Sequence, residues 1–579
     1  MELPWIAVAF IAFLALGYRA YGRVVERLYN IDPTARTPAD RLNDGVDFVP
    51  TKPFYLFGQH FSAIAAAGPI AGPILASQQF GWLPALFWLA LGAVFIGAVH
   101  DFSALIASVR HEGRSIAEVV RANLGARAGT AMLAFIWIAL VYVIVAFTDL
   151  TASTFVAGDP ELAGLEFSFH QGGAVTAASL LYLGLAVVMG VVDRYLGPPL
   201  WLQTLIFVPA TVGAVALGPA LAEYFVLPAD LGLAPVQVFS LLILLYCGVA
   251  SMLPVWMLLQ PRGYLGGFVL YLALAVGVYG ILFGNFEISA VAYKGLDGPD
   301  ARTAMLFPFL FVTIACGACS GFHGLVCSGT TSKQIANESH CRPVGYGAML
   351  LEGLVALIAL ATVMIAAPAA IAGKPAGTIY GTGLGRFLAG IIGQEYLPVA
   401  ITFGAMAFST FVFDTLDVST RLGRLVLEEL SGRRNRTTAM VATAITIGTP
   451  LSFMLAAGPG AYLSFWTLFG TSNQLLAALS LLGISVWLRR SGRRFAYVLV
   501  PAIFISAVTL TALVLVLVKP FTAGAAHTLM EGVNSVVALI LLVLACSLMT
   551  VATRALLRPL DPDAAASPSL AAAAGSAPR

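Results

Sequence analysis

The sequence predicts an all-α polytopic membrane protein of about fifteen transmembrane helices, with a core of two five-helix groups of opposite topology. Three observations carry this: an extreme apolar composition, a one-sided distribution of Lys and Arg between the apolar runs, and two runs interrupted by Gly and Pro at matching positions. Of 579 residues, 59% are hydrophobic and 10% charged, with a mean hydropathy of +0.89. Soluble domains carry about 25% charged residues, so no water-soluble fold hides this much apolar surface, and the lipid bilayer is the expected surrounding. A net charge of +2 gives no basic field, and no nucleic-acid partner is expected.

Apolar runs long enough to span fall at about 3–20, 61–79, 82–108, 129–155, 173–192, 198–225, 236–260, 264–286, 304–327, 345–371, 385–411, 438–457, 461–488, 496–518 and 533–556. The first resembles a signal peptide in length but has no basic n-region and no small-x-small cleavage site, so a retained helix is expected. With the N-terminus outside, 26 of the 31 Lys and Arg fall on the inner side, and Lys294, Arg302, Lys374, Arg386 and Lys519 fall outside. One missed or invented span would scramble that asymmetry downstream. It therefore supports the count, an outer N-terminus and a cytoplasmic C-terminus, as expected of a multi-pass membrane protein.

The expected organisation is an N-terminal helix and cytoplasmic loop (1–57), a first five-helix repeat (58–235) and a second (236–411). A cytoplasmic loop with four C-terminal helices (412–558) and an Ala/Ser/Pro-rich disordered tail (559–579) complete it.

The stretch GPIAGP, residues 68–73, lies where a membrane helix should be continuous. Pro removes a backbone donor, and freed backbone groups are tolerated at membrane depth only where protein or a water-filled cavity satisfies them. Five runs later, LLYCGVASMLPVWM carries Gly248, Ser251 and Pro254. By the charge count the first interrupted run enters from inside and the second from outside. Matching interruptions in two inverted halves are the sequence pointer to a transporter site, and this is the pattern of a LeuT-like 5+5 inverted repeat. A half-helix beginning near Pro73 or Pro254 would aim its free N–H groups at the midplane, where a carboxylate is stabilised. Gly68, Pro69, Gly72, Pro73, Gly248, Ser251 and Pro254 are therefore the expected substrate-binding positions.

TIACGACSGFHGLVCSGTTS, residues 313–332, places Cys316, Cys319, His323 and Cys327 on one face if it is helical throughout. One straight helix cannot wrap four ligands around zinc, so no metal and no cofactor are expected. His323 is the candidate proton-coupling or gating group; the alternative is a structural histidine bonded to a carbonyl. Ser320, Ser328, Thr330 and Thr331 offer hydroxyls to a small cation, or cap a helix. Intramembrane acids are functional candidates by default. Asp149 is a possible partner for a substrate amino group, and Asp101 a coupling residue. His100, Asp101 and Glu352 are expected toward the inner ends of their spans. Asp414 and Asp417 are expected to face the arginines of FDTLDVSTRLGR as an inner gate or anchor. No P-loop, HExxH or GxSxG motif occurs, so no enzyme is expected and an ion gradient is the expected driving force.

The stretches 68–102, ASMLPVWMLLQPRGYL (250–265), CGACSGFHGLVCSGTTSKQIANE (316–338), GYGAMLLEG (345–353) and FVFDTLDVSTRLGR (411–424) resemble the carbon starvation CstA family. The extra cysteines at 319 and 327 depart from its pattern. The resemblance supports Gly68, Pro69, Gly72, Pro73, Asp101, Ser320, His323, Ser328, Thr330 and Thr331 as motif positions without assigning roles. It implies an inner-membrane secondary transporter of peptides or pyruvate, coupled to protons, in nutrient-starved cells. It also implies the LeuT-type fold of the amino acid–polyamine–cation superfamily. The competing readings are a channel or sensor of the same fold, a Cys/His metal-binding or enzymatic membrane protein, and a membrane scaffold.

Overall fold

Hydrocarbon offers no partner to a peptide group, so apolar segments satisfy their N–H and C=O groups internally as helices. The computed structural model obeys this: among the described residues it is all-helical, with one isolated β-bridge, Thr51–Ile335, and no strand. The structure describes all residues except 1, 46, 66, 159–169, 229–231, 255, 297–304, 434, 458–461, 523–528 and 560–579. The tail expected beyond 559 thus lies outside the described residues.

The main helices are α1 (Leu3–Arg19), α2 (Pro53–Ile64), α3 (Gly68–Phe80), α4 (Trp82–Arg110, with a π-helical turn at Ala93–Gly97), α5 (Ala126–Val156) and α6 (Gln171–Leu196). Then come α7 (Leu200–Leu221), α8 (Pro235–Met252), α9 (Leu259–Phe283), α10 (Leu306–Thr313), α11 (Gly321–Gly329) and α12 (Ala348–Met364). The chain closes with α13 (Ala376–Ile392), α14 (Leu397–Ser431), α15 (Arg436–Ala457), α16 (Tyr462–Arg490), α17 (Ala496–Thr522) and α18 (Leu529–Leu557). Among the described residues thirteen helices are long and apolar enough to cross a membrane, or 14 if α2 and α3, bent by 44°, form one span. The protein is a multi-pass membrane protein.

Two sequence expectations are corrected. The run 385–411 is not one helix. Gly393 turns the chain at φ +112, a conformation other residues adopt only with strain, and α13 folds back on α14. Gly381 and Gly385 lie against Ala405 and Ile401, where an added Cβ would meet heavy atoms at 2.7 Å; small residues let the two backbones close. The run 236–260 is not interrupted at mid-span either. α8 continues through Gly248 and Ser251 and ends at Met252, so Pro254 sits in the connection to α9. Its terminal carbonyls are capped from α14: Arg421 donates to Ala250 and Leu253, and Arg424 donates to Ser251 at 2.8 Å. Arginine at a helix C-terminus satisfies orphan carbonyls and suits the dipole.

The helix broken in company with α2–α3 is instead the segment 306–329, which unwinds between Thr313 and Gly321. The packing around the two breaks is reciprocal. α3 packs on α12, α11 on α4, and α5 on α14. α16, one of the four helices expected as C-terminal additions, is buried along its length and packs against α4, α5 and α11.

Candidate functional site

The two breaks meet each other. An added Cβ at Gly68 would strike Cys316 Sγ at 2.3 Å, and one at Gly72 would meet the Thr313 carbonyl oxygen at 2.8 Å. The α carbon of Pro69 lies opposite Gly317. The Gly-Pro stretch thus serves two physical needs. Its glycines admit the unwound backbone of the partner, and Pro69 starts α3 in the first turn, where its missing N–H removes no bond. The half-helix begins at Gly68 and not near Pro73, which lies inside α3.

Unwinding at 314–320 exposes carbonyls that α10 no longer satisfies. Side chains from other helices take them up. Trp88 on α4 donates to the Ile314 carbonyl at 3.1 Å, and Trp466 on α16 donates to that of Thr313 at 3.1 Å. Gln474 donates to that of Phe311 at 2.9 Å. Asn473 accepts from the Phe322 N–H at 2.9 Å, acting as an N-cap for α11 supplied from α16. Its amide nitrogen donates to Ser320 Oγ and Cys316 Sγ at 3.0 and 3.2 Å.

Because the segment is broken, Cys316 and Cys319 lie in the unwound stretch, and only His323 and Cys327 are on α11. The expected single helical face does not form. Among the described residues no group of three His, Cys, Asp or Glu is arranged to hold a metal ion.

Below the break runs a buried polar chain. His323 Nδ1 lies 2.8 Å from Asp101 Oδ2, and its Nε2 lies 3.2 Å from Glu352 Oε2. Asp101 Oδ1 is 2.8 Å from His100 Nδ1. All four side chains are 0–1% exposed. The Glu352 contact has ion-pair distance without hydrogen-bond alignment: neither of its oxygens has a hydrogen-bond partner among the described residues. One imidazole therefore stands between two carboxylates carried by α4 and α12, with α11 as its own support. His60 on α2 flanks the chain, bonded to Thr331 Oγ1 at 2.9 Å and 3.9 Å from Cys327 Sγ. Ser328 donates to the Gly324 carbonyl at 2.6 Å and accepts from the Ile116 N–H. Thr330 is exposed and donates to the Val326 carbonyl.

The structure brings together Gly68, Pro69, Gly72, Asp101, Ser320, His323, Ser328 and Thr331 around the breaks. It does not bring Gly248, Ser251 and Pro254 there: α8 packs on α5, α14 and α15, and Gly248 faces Ile447. Asp149 is buried on α5, a helix that carries none of the four members of the polar chain. Asp101 and Glu352, expected near interfacial water, are 0% exposed. His60, His100, Asn473 and Gln474 are added. The histidines were visible as polar residues in apolar runs; Asn473 and Gln474 gave no local signal of their partners.

A second buried cluster lies apart from the breaks. Arg262 on α9 pairs with both Asp414 and Asp417 on α14. Its Nη1 also donates to Tyr246 Oη at 2.7 Å, and Tyr246 donates to Asp417 Oδ2 at 2.9 Å. Tyr182 donates to the Arg262 carbonyl at 2.7 Å. The anchor expected from Asp414 and Asp417 thus pairs with a distant arginine, while the neighbouring Arg421 and Arg424 cap α8.

Residues 3–382 and 366–512 match the family described as carbon starvation protein CstA. The chain is 34% identical to the peptide transporter CstA of Escherichia coli (strain K12), over 88% of this chain and 80% of that protein. It is 32% identical to the pyruvate/proton symporter BtsT of the same organism, over 88% and 81%. It is 32% identical to the peptide transporter CstA of Bacillus subtilis (strain 168), over 93% and 95%. A solved manganese transporter of Eremococcus coleocola overlays with a TM-score of 0.43 at 12% identity, covering 86% of this chain and 95% of that one, a likeness too loose to fix the fold. On the strength of a match that runs through both broken helices and the polar chain, this protein belongs to the carbon starvation protein CstA family.

Proposed function

We propose that the chain is a proton-coupled secondary transporter of the cell's inner membrane that takes up small carboxylates such as pyruvate, or short peptides, under carbon starvation. The observation that carries this reading is the Asp101–His323–Glu352 chain buried beside two crossing broken helices. An imidazole with a carboxylate at each nitrogen can take a proton from one side and release it to the other. Because the three residues ride on α4, α11 and α12, their protonation is tied to the packing of both breaks. The substrate site is the crossing at Gly68, Pro69, Gly72 and Pro73, where the start of α3 suits a carboxylate. The names of its relatives, a peptide transporter and a pyruvate/proton symporter, support transport over catalysis.

The scaffold reading is a LeuT-like core whose two five-helix groups start at the breaks. One comprises α2–α3 and α4 to α7. The other comprises α10–α11 with α12, α14, α15 and α16, leaving α8 and α9 between them. This moves the second repeat from 236–411 to 306–490, and the reciprocal packing of α3 on α12 and α11 on α4 supports it. Counting α10–α11 as a crossing restores fifteen spans, with the N-terminus outside and the C-terminus cytoplasmic.

The test is uptake into proteoliposomes under an inward proton gradient, comparing labelled pyruvate with a labelled dipeptide, with and without uncoupler. Uncoupler-sensitive accumulation of either is expected. Equilibration without accumulation would make the protein a facilitator or channel, and no movement of either would overturn the substrate reading.

A further inference from the structure

Away from the breaks, at the end of α12 beyond Thr362, the chain builds a cavity of about 400 Å³, within the range of small-molecule sites. One wall is a single face of α13, bearing Thr378, Thr382 and Arg386 at helical spacing. The others are the end of α12, the segment 365–374 and the connection through Phe286 and Ser289. Two cations, Lys374 and Arg386, line it, and no Asp or Glu does among the described residues. Arg386 is held in place from two sides. It donates from Nη1 to the Ile365 carbonyl at 3.1 Å, and its guanidinium lies over the Phe286 ring at 5.3 Å. A guanidinium has five N–H donors, so this grip leaves donors for a ligand. Thr378, 6% exposed, has a buried hydroxyl with no hydrogen-bond partner among the described residues.

The cavity is connected to the breaks. Thr362 and Glu352 lie on the same helix, ten residues and so roughly 15 Å apart. Gln78, near the end of α3, donates to the Ile371 carbonyl in the cavity floor at 3.0 Å. Helices α12 and α3, which pack together, run from the chamber to the crossing.

We propose that this chamber is a first binding site for a carboxylate, in which Arg386 and Lys374 select anions before they reach the broken helices. This rests on the reading that the protein moves carboxylates, and it adds a separate site with its own residues. The pairing is chemically specific: a planar guanidinium takes a carboxylate bidentately, and a lysine adds a point charge.

The test reads the chamber without transport. In full-length protein carrying Cys546→Ser, which removes the exposed cysteine, Thr382→Cys is labelled with anionic and cationic methanethiosulfonates of similar size. Rates are normalised to those with a small free thiol. The anionic reagent is expected to be favoured on the order of tenfold, and Lys374→Gln with Arg386→Gln is expected to abolish the preference. Pyruvate should slow labelling, and its neutral amide should not. Should Thr382→Cys fail to fold, Ser289→Cys reports on the opposite wall. Equal normalised rates, a preference that survives both substitutions, or equal protection by the amide would each overturn the proposal. If the preference vanishes while wild-type uptake is intact, the chamber alone is wrong. If preference and protection hold while wild-type protein moves no carboxylate, the transport reading alone is wrong.

Discussion

Two of the buried ionic clusters among the described residues differ in one respect of their chemistry. Asp101, Glu352, His100 and His323 gather beside the crossing of the broken helices, and every cation available to them is an imidazole. Asp414 and Asp417 gather on α14 around Arg262, a guanidinium that stays charged at any accessible pH. The arginine cluster is also bound in by Tyr246 and Tyr182. Its cation holds helices together and keeps its charge. The cations of the histidine cluster are imidazoles, which can gain and lose a proton, and Glu352 has no hydrogen-bond donor among the described residues. One cluster is a strut and the other has the parts of a switch. A buried charge network by itself does not say which; the identity of the cation does.

The largest expected effect comes from breaking the strut. Arg262→Met leaves Asp417 buried, and Asp414 partly buried, without this counter-charge, a loss of about 3–5 kcal/mol. Thermal unfolding of purified protein should show a large drop or no recoverable folded protein, and His323→Gln should leave the melting temperature close to wild type. Comparable destabilisation by both would erase the distinction.

Next is the brace around the second break. Asn473→Ala removes the cap from the Phe322 N–H and the bond to Ser320, and an unmet buried donor costs about 1–3 kcal/mol. Substrate counterflow, which needs the site but no proton gradient, should fall in step with gradient-driven accumulation. A selective loss of accumulation would make Asn473 part of the coupling chain.

A smaller effect sharpens the geometry of the crossing. Gly68→Ala drives a methyl into Cys316 Sγ, and overpacking costs about 1–3 kcal/mol. That methyl also meets Cys316 Cβ at 2.6 Å, so Cys316→Gly, which removes both atoms, should relieve much of the cost, and the double variant should be more stable than Gly68→Ala alone. Strict additivity would mean that the two breaks do not touch.

How much of this was legible in the sequence depended on where the cause of each feature lies. The first break was readable because its cause is local: Pro69 cannot extend the preceding helix and starts a new one, with Gly72 and Pro73 inside α3. The second break has no proline. Residues 314–320 stay unwound because Trp88, Trp466, Asn473 and Gln474, distant in the chain, accept or supply the missing bonds, and no local pattern announces such partners. Pro254 misled for the converse reason. It looked like a mid-helix interruption, and it marks a helix end that Arg421 and Arg424 close from α14. Asp101 and Glu352 could be picked out as charges in apolar runs. Their depth could not, because it depends on α4 continuing as helix to Arg110 and on helical structure, including a π-helical turn, from Arg342 into α12.

The central claim is that His323, set between Asp101 and Glu352, carries the coupling proton. The most direct test is to reconstitute wild type and His323→Gln and measure counterflow of labelled substrate without a gradient beside accumulation driven by a pH jump. The account predicts that His323→Gln keeps counterflow and loses pH-driven accumulation. Accumulation equal to wild type in His323→Gln would contradict it and reduce the histidine chain to a second strut.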